Sequence, residues 1–240
     1  MFAVTVLSQV WHRVVTPQPA PTYAMVLGSA AVAILLVGVP GLWRRSRYLV
    51  TIAHEAAHGV VAAASGRRLS GIRLHRDTSG LLLSRGRASG PGMFLTVAAG
   101  YVGPALFGLG AAYVLRAGHS VALLWIVLVL LAVVLTLIRN WFGLWLVLAA
   151  GVGVFAVSWW GDALLQSWCA YVGAWFLLVA APRPIIELQS ARSRKVAPNS
   201  DADILARLSG IPGPIWVAVF LFVTVGALAL GGYWLLVAAK

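Results

Sequence analysis

The 240 residues predict an all-α polytopic membrane protein of about six to seven transmembrane helices, with a small β-hairpin on the cytoplasmic side between the second and third spans. Three observations carry that expectation. The chain is 61% hydrophobic and only 10% charged, where soluble domains carry about 25% charged residues. Its apolar residues gather into stretches of about 18–25, the length a helix needs to cross a bilayer. Basic residues collect in alternate connections between those stretches, as positive-inside topology requires. No period of 20–50 residues repeats, and residues 1–240 read as one multi-pass domain.

Taken in order, the first 22 residues lack the cleavage pattern of a secretory signal, and Phe2 to Trp11 reads as a short amphipathic or interfacial segment. The candidate spans are 23–43, 48–65, 91–116, 119–138, 140–160, 163–181 and 214–238. Between the second and third, Ile72 and Leu74 on one side and Leu81, Leu82 and Leu83 on the other flank Asp77-Thr78-Ser79-Gly80. That turn sequence predicts a hairpin lying at the membrane surface. Residues 182–213 open on Pro182 and Pro184, pass a basic run, and reach Asn199-Ser200. Either of those two can cap a short helix that ends at Gly210.

With seven spans, one side receives Arg13, Arg67, Arg68, Arg73, Arg76, Arg85, Arg87, Arg139, Arg183, Arg192, Arg194, Lys195 and Arg207, or 13 of the 18 basic residues. Arg44, Arg45, Arg47, Arg116 and Lys240 fall on the other. The first side is therefore expected to be cytoplasmic, with the N-terminus inside and the protein in the cell membrane. This asymmetry accounts for the +12 net charge, and no nucleic-acid partner is implied. Trp43, Trp159, Trp160, Trp216 and Trp234 suit the interfacial belt, and Arg192, Arg194 and Lys195 suit anionic headgroups. The single cysteine, Cys169, excludes an intrachain disulfide. Gly100, Gly103, Gly108 and Ala111-Ala112 read as close helix packing. His12, His75 and His119 lie at span ends or loops, where a histidine needs no special role.

Against this apolar background, His54-Glu55-Ala56-Ala57-His58 stands out. Residues four apart share a helix face, so both imidazoles can reach one tetrahedral Zn²⁺, with Glu55 beside the metal to take a proton from water. In a shuffled chain of this composition the pattern arises with a probability on the order of one in a thousand. Ionisable groups at membrane depth are costly and kept for function. A catalytic zinc site needs a third ligand, and only six acidic residues exist to supply it. Asp162 falls on the far side; Asp77 and Glu187 sit in charged, solvated surroundings. Asp201 and Asp203 remain, two apart on a short helix, so only one can face a metal. Asn140 is the candidate for a contact to substrate or to a developing oxyanion.

These pieces resemble the site-2 protease family of intramembrane zinc metalloproteases (peptidase family M50), in particular its compact M50B-like branch. The resemblance rests on His54-Glu55-Ala56-Ala57-His58 with Gly59 and the small run to Ser65-Gly66, on Ala99-Gly100-Tyr101-Val102-Gly103-Pro104, and on Asn199-Ser200-Asp201-Ala202 running through Ile211-Pro212 to Trp216. Together they bracket residues 48–216. The resemblance implies one Zn²⁺ per chain held by His54, His58 and Asp201, Glu55 as general base, and hydrolysis of transmembrane protein substrates within the bilayer. Asp201 precedes Ala202 where the better-studied members have glycine, and the chain leaves no room for the PDZ domain that many carry. The competing expectation is an inactive M50-like membrane scaffold that keeps the metal site, which an intact Glu55 disfavours.

Overall fold

A computed structural model describes residues 2–194 and 199–239; Lys195 and Lys240 of the basic count lie outside them. Among the described residues the element order is α1 (Phe2–Val15), α2 (Tyr23–Gly38), α3 (Pro40–Ala64), β1 (Arg68–Leu74), β2 (Gly80–Arg85), α4 (Pro91–Arg116), α5 (Ser120–Leu137), α6 (Trp141–Trp160), α7 (Ala163–Ala180), α8 (Pro182–Ser193), α9 (Asp201–Ser209) and α10 (Gly213–Val237). Among the described residues, five helical stretches are long and apolar enough to cross a membrane: α4, α5, α6, α7 continued into α8, and α10. A sixth is made if α2 and α3, bent by 100°, count as one broken span.

That bend corrects the expected pair of spans at 23–43 and 48–65. The chain breaks at Val39-Pro40, and Arg44, Arg45 and Arg47 lie inside α3. Proline has no N–H to continue the preceding helix, fixes φ for the first turn of a new one, and drives the residue before it out of the helical region. Val39 is accordingly extended, at φ −82° and ψ 119°. The bend is filled from α8. The Arg183 guanidinium donates to the Val37 carbonyl and lies 4.7 Å above the Trp43 ring. The Trp43 indole donates to Glu187 at 2.9 Å, and Arg47 pairs with the same carboxylate at 3.0 Å. Trp43, only 3% exposed, thus belongs to the bend rather than to an interfacial belt, and Glu187 is paired rather than solvated.

The contacts of the chain start also bear on the expected placement of the N-terminus. Arg13 donates to Gln166 at 3.1 Å, the Gln18 amide N–H to the Gly118 carbonyl at 2.8 Å, and the Gln18 side chain accepts from Ser120 and from the Val121 N–H. These contacts lie at the N-terminal end of α5. At its other end, about 27 Å away at 1.5 Å per residue, Arg139 N–H donates to the Ile72 carbonyl at 2.9 Å. The chain start and the hairpin therefore occupy opposite ends of the bundle, not the shared side that seven spans required.

The hairpin is antiparallel, with Ile72 opposite Leu82 and Leu74 opposite Gly80. Asp77 closes its turn by accepting from the Ser79 hydroxyl and amide, which hold its carboxyl below the ordinary range. Ile72 and Leu74 are buried against Ile138 and Val147, and Ile72 forms a parallel bridge with Ile138. The sheet is thus wedged into the α5–α6 connection.

Candidate metal centre

α3 and α4 cross closely because small residues meet at the contact. A Cβ built on Gly103 would overlap the Ala57 methyl, and one on Gly100 would overlap both imidazoles, His58 and His54. The expected packing role of these glycines is right, but at Gly100 the packed objects are the two histidines. A prediction follows from this contact. Gly100→Ala should weaken zinc binding roughly tenfold or more, the scale seen when groups that orient metal ligands are disturbed, as read by titration against a competing chelator. Alanine favours helix over glycine by about 1 kcal/mol, so weakening of α4 cannot be the cause.

The imidazole Nε2 atoms of His54 and His58 lie 3.0 Å apart. Asp201, in the first turn of α9, brings Oδ2 to 3.3 Å from each of them. His58 Nδ1 sits 2.6 Å from the Thr96 carbonyl, which only an N–H can approach so closely, so Nε2 presents its lone pair toward the other two atoms. Among the described residues, no hydrogen-bond donor meets the enclosed Asp201 Oδ2. Ligands held about 2.1 Å from a tetrahedral Zn²⁺ are spaced about 3.4 Å apart, close to what these three atoms show. Convergence of electron-rich atoms in a buried space suits a cation, and the donor set fits zinc.

Asp203 faces elsewhere. Ser200 caps α9, and the Asp203 carboxylate accepts from the Ser200 hydroxyl at 2.6 Å and from its N–H at 3.2 Å, closing a capping box. Arg192, reaching from α8, pairs with Asp203 and donates to the Ser200 hydroxyl at 3.1 Å. Partial burial pushes the Asp203 carboxyl up, but Ser200 and Arg192 outweigh it and hold it below the ordinary carboxylate range. Arg192 is thereby engaged inside the fold rather than free for headgroups. The 200° between residues two apart then turns Asp201 toward the histidines.

Glu55 is 4% exposed and sits between the imidazole face and the hairpin. A Cβ on Gly80 would fall on its carboxylate, and the Leu82 backbone is within hydrogen-bonding reach of it. Gly80, legible in sequence as a turn residue, is therefore also the point where the hairpin closes over Glu55. Asn140 does not join the cluster. Its carboxamide accepts from Leu74 N–H at 3.1 Å and donates to the Leu74 carbonyl at 2.7 Å, clamping the β1 residue opposite Gly80. Tyr101, beside Gly100, packs edge-on against His54 with centroids 4.9 Å apart; sequence reasoning had it only as a letter in a motif.

A bundle of membrane-crossing helices that gathers a His-x₃-His pair, a neighbouring glutamate and a distant aspartate has the build of an integral-membrane metallohydrolase. The family model for Peptidase M50B-like proteins matches residues 27–231, most of the chain, and the chain belongs to that family. At family level it is a site-2 protease-like intramembrane metalloprotease. Searches of curated proteins and of solved structures returned no match.

Proposed function

We propose that the chain is a zinc-dependent intramembrane endopeptidase that cleaves membrane-embedded protein substrates, with His54, His58 and Asp201 as metal ligands and Glu55 as general base. The convergence of two Nε2 atoms and one carboxylate oxygen within 4.8 Å carries the reading. When bound, the ion supplies Lewis acidity to the scissile carbonyl and lowers the pKa of water. Glu55, held against Gly80 and Leu82 beside the two imidazoles, takes the proton of the attacking water. It then delivers that proton to the amine as the C–N bond breaks. Thr96 fixes the His58 ring, and Arg192 through Asp203 fixes the helix that carries Asp201.

The substrate helix must open before water can reach its peptide bonds. β1 is flanked by β2 on one edge and by Ile138 on the other, which leaves β2 as the open edge, next to Glu55. An unwound substrate segment adding to that edge would lie across the site. Arg67, Arg68, Arg73, Arg76, Arg85, Arg87 and Arg139 cluster on and beside the hairpin, which supports a cytoplasmic placement of this end in a cell membrane. The test is cleavage of transmembrane peptides by the purified chain in detergent. Chelation should abolish cleavage and Zn²⁺ restore it. A preparation holding about one zinc per chain that cuts no such peptide would instead favour the scaffold reading.

A further inference from the structure

The donors around the site are nearly all committed. Arg47 is held by Glu187, Arg192 by Asp203, and the Asn140 amide by Leu74. The hydroxyls of Tyr48 and Thr51 are spent on the Arg76 and Thr78 carbonyls of the hairpin turn, and that of Thr96 on the Gly92 carbonyl. Tyr101 differs. Its ring is only partly buried, and its hydroxyl makes no hydrogen bond among the described residues, so the O–H is left available.

Its ring is nonetheless fixed from two sides. It meets His54 edge-on at 4.9 Å and stacks on Phe220 of α10 at 5.3 Å and 24°. Gly100, its neighbour on α4, lies against both imidazoles, which puts the ring at the edge of the site. A rigid ring with an unspent O–H, packed on one of the histidines, is a preorganised hydrogen-bond donor.

We infer that Tyr101 is a catalytic residue whose phenolic O–H donates to the carbonyl oxygen of the scissile peptide. This assignment rests on the peptidase reading above. The bond strengthens as the oxygen gains charge when water adds to the carbonyl carbon. Tyr101 keeps its proton throughout; Glu55 alone moves a proton, from the water to the leaving amine. A donor that acts on developing charge raises kcat and leaves ground-state binding nearly untouched.

Tyr101→Phe is the test, because phenylalanine preserves both ring contacts and removes only the oxygen. Zinc content and melting midpoint should match wild type, KM should change little, and kcat should fall roughly 10²-fold, the scale for loss of one such donor. A second readout needs no turnover. A transmembrane peptide with a phosphinate in place of one amide mimics the charged tetrahedral state, and its affinity should fall in parallel, while that of the parent peptide should not. Wild-type kcat, or wild-type phosphinate affinity, in Tyr101→Phe overturns the assignment. So does loss of zinc, which would make the hydroxyl structural. Failure of zinc-loaded wild type to cleave any peptide sinks the peptidase reading instead, and the phosphinate comparison still judges Tyr101.

Discussion

Replacing Glu55 by Gln should leave the chain folded with its zinc in place while peptide hydrolysis falls by about 10²–10⁴-fold, equivalent to about 3–5 kcal/mol of barrier. The substitution is nearly isosteric, so the close fit of Gly80 and Leu82 over residue 55 survives. The proposed ligands are untouched, since Glu55 lies beside the converging atoms rather than among them. What disappears is the buried carboxylate beside the imidazoles that is positioned to accept a proton. Rate and zinc content measured on the same preparation separate this outcome from simple loss of the metal. In cells, the matching result is a single-pass membrane protein that accumulates uncleaved when Glu55→Gln replaces the wild type. Wild-type rates in the variant, or unchanged levels of every single-pass protein, would remove Glu55 from the mechanism.

What could be read from the sequence follows the range of the interactions involved. His54, Glu55 and His58 are legible because an i, i+4 spacing fixes geometry without reference to the rest of the fold. The hairpin is legible from its turn, and α9 from its Ser200 cap and its Gly210 stop, which sits at φ 74°. The break at Val39-Pro40 had a local signal in Pro40. The run Arg44-Arg45-Ser46-Arg47 looked like a loop between spans because its long-range partners were invisible. Glu187, 140 residues away, pairs with Arg47 of that run, and Arg183 covers the Trp43 ring. Placement of the chain start depended on counting α2 and α3 as two separate crossings, where the chain makes a bent pair. Asn140 was drawn toward the chemistry by its polarity, but its partner is a backbone on the hairpin, which no spacing rule reveals. Tyr101 gave no signal of its own; the glycine beside it did, since Gly100 is where α4 touches both imidazoles.

The choice between Asp201 and Asp203 was open in the sequence and turns on a partner from another helix. Asp201→Ala should reduce zinc from about one per chain to near zero after dialysis against a mild chelator, because a site left with two imidazoles lacks the third protein ligand of a catalytic zinc centre. Asp203→Ala should keep its zinc. It removes the capping box, worth about 0.5–2 kcal/mol, and an ion pair with Arg192 that is partly exposed and adds about 1 kcal/mol or less. The melting midpoint should therefore drop by a few degrees while zinc affinity changes much less than in Asp201→Ala. Loss of zinc confined to Asp203→Ala would mean that α9 sits a turn-phase away from the arrangement described, with Arg192 released. Absence of zinc from all three proteins, wild type included and with metal supplied, would reduce His54, His58 and Asp201 to a packing cluster. Two carboxylates two residues apart thus separate a helix cap from a metal ligand, because each has been given a different opposite: a guanidinium from α8 for Asp203, and two imidazoles from α3 for Asp201.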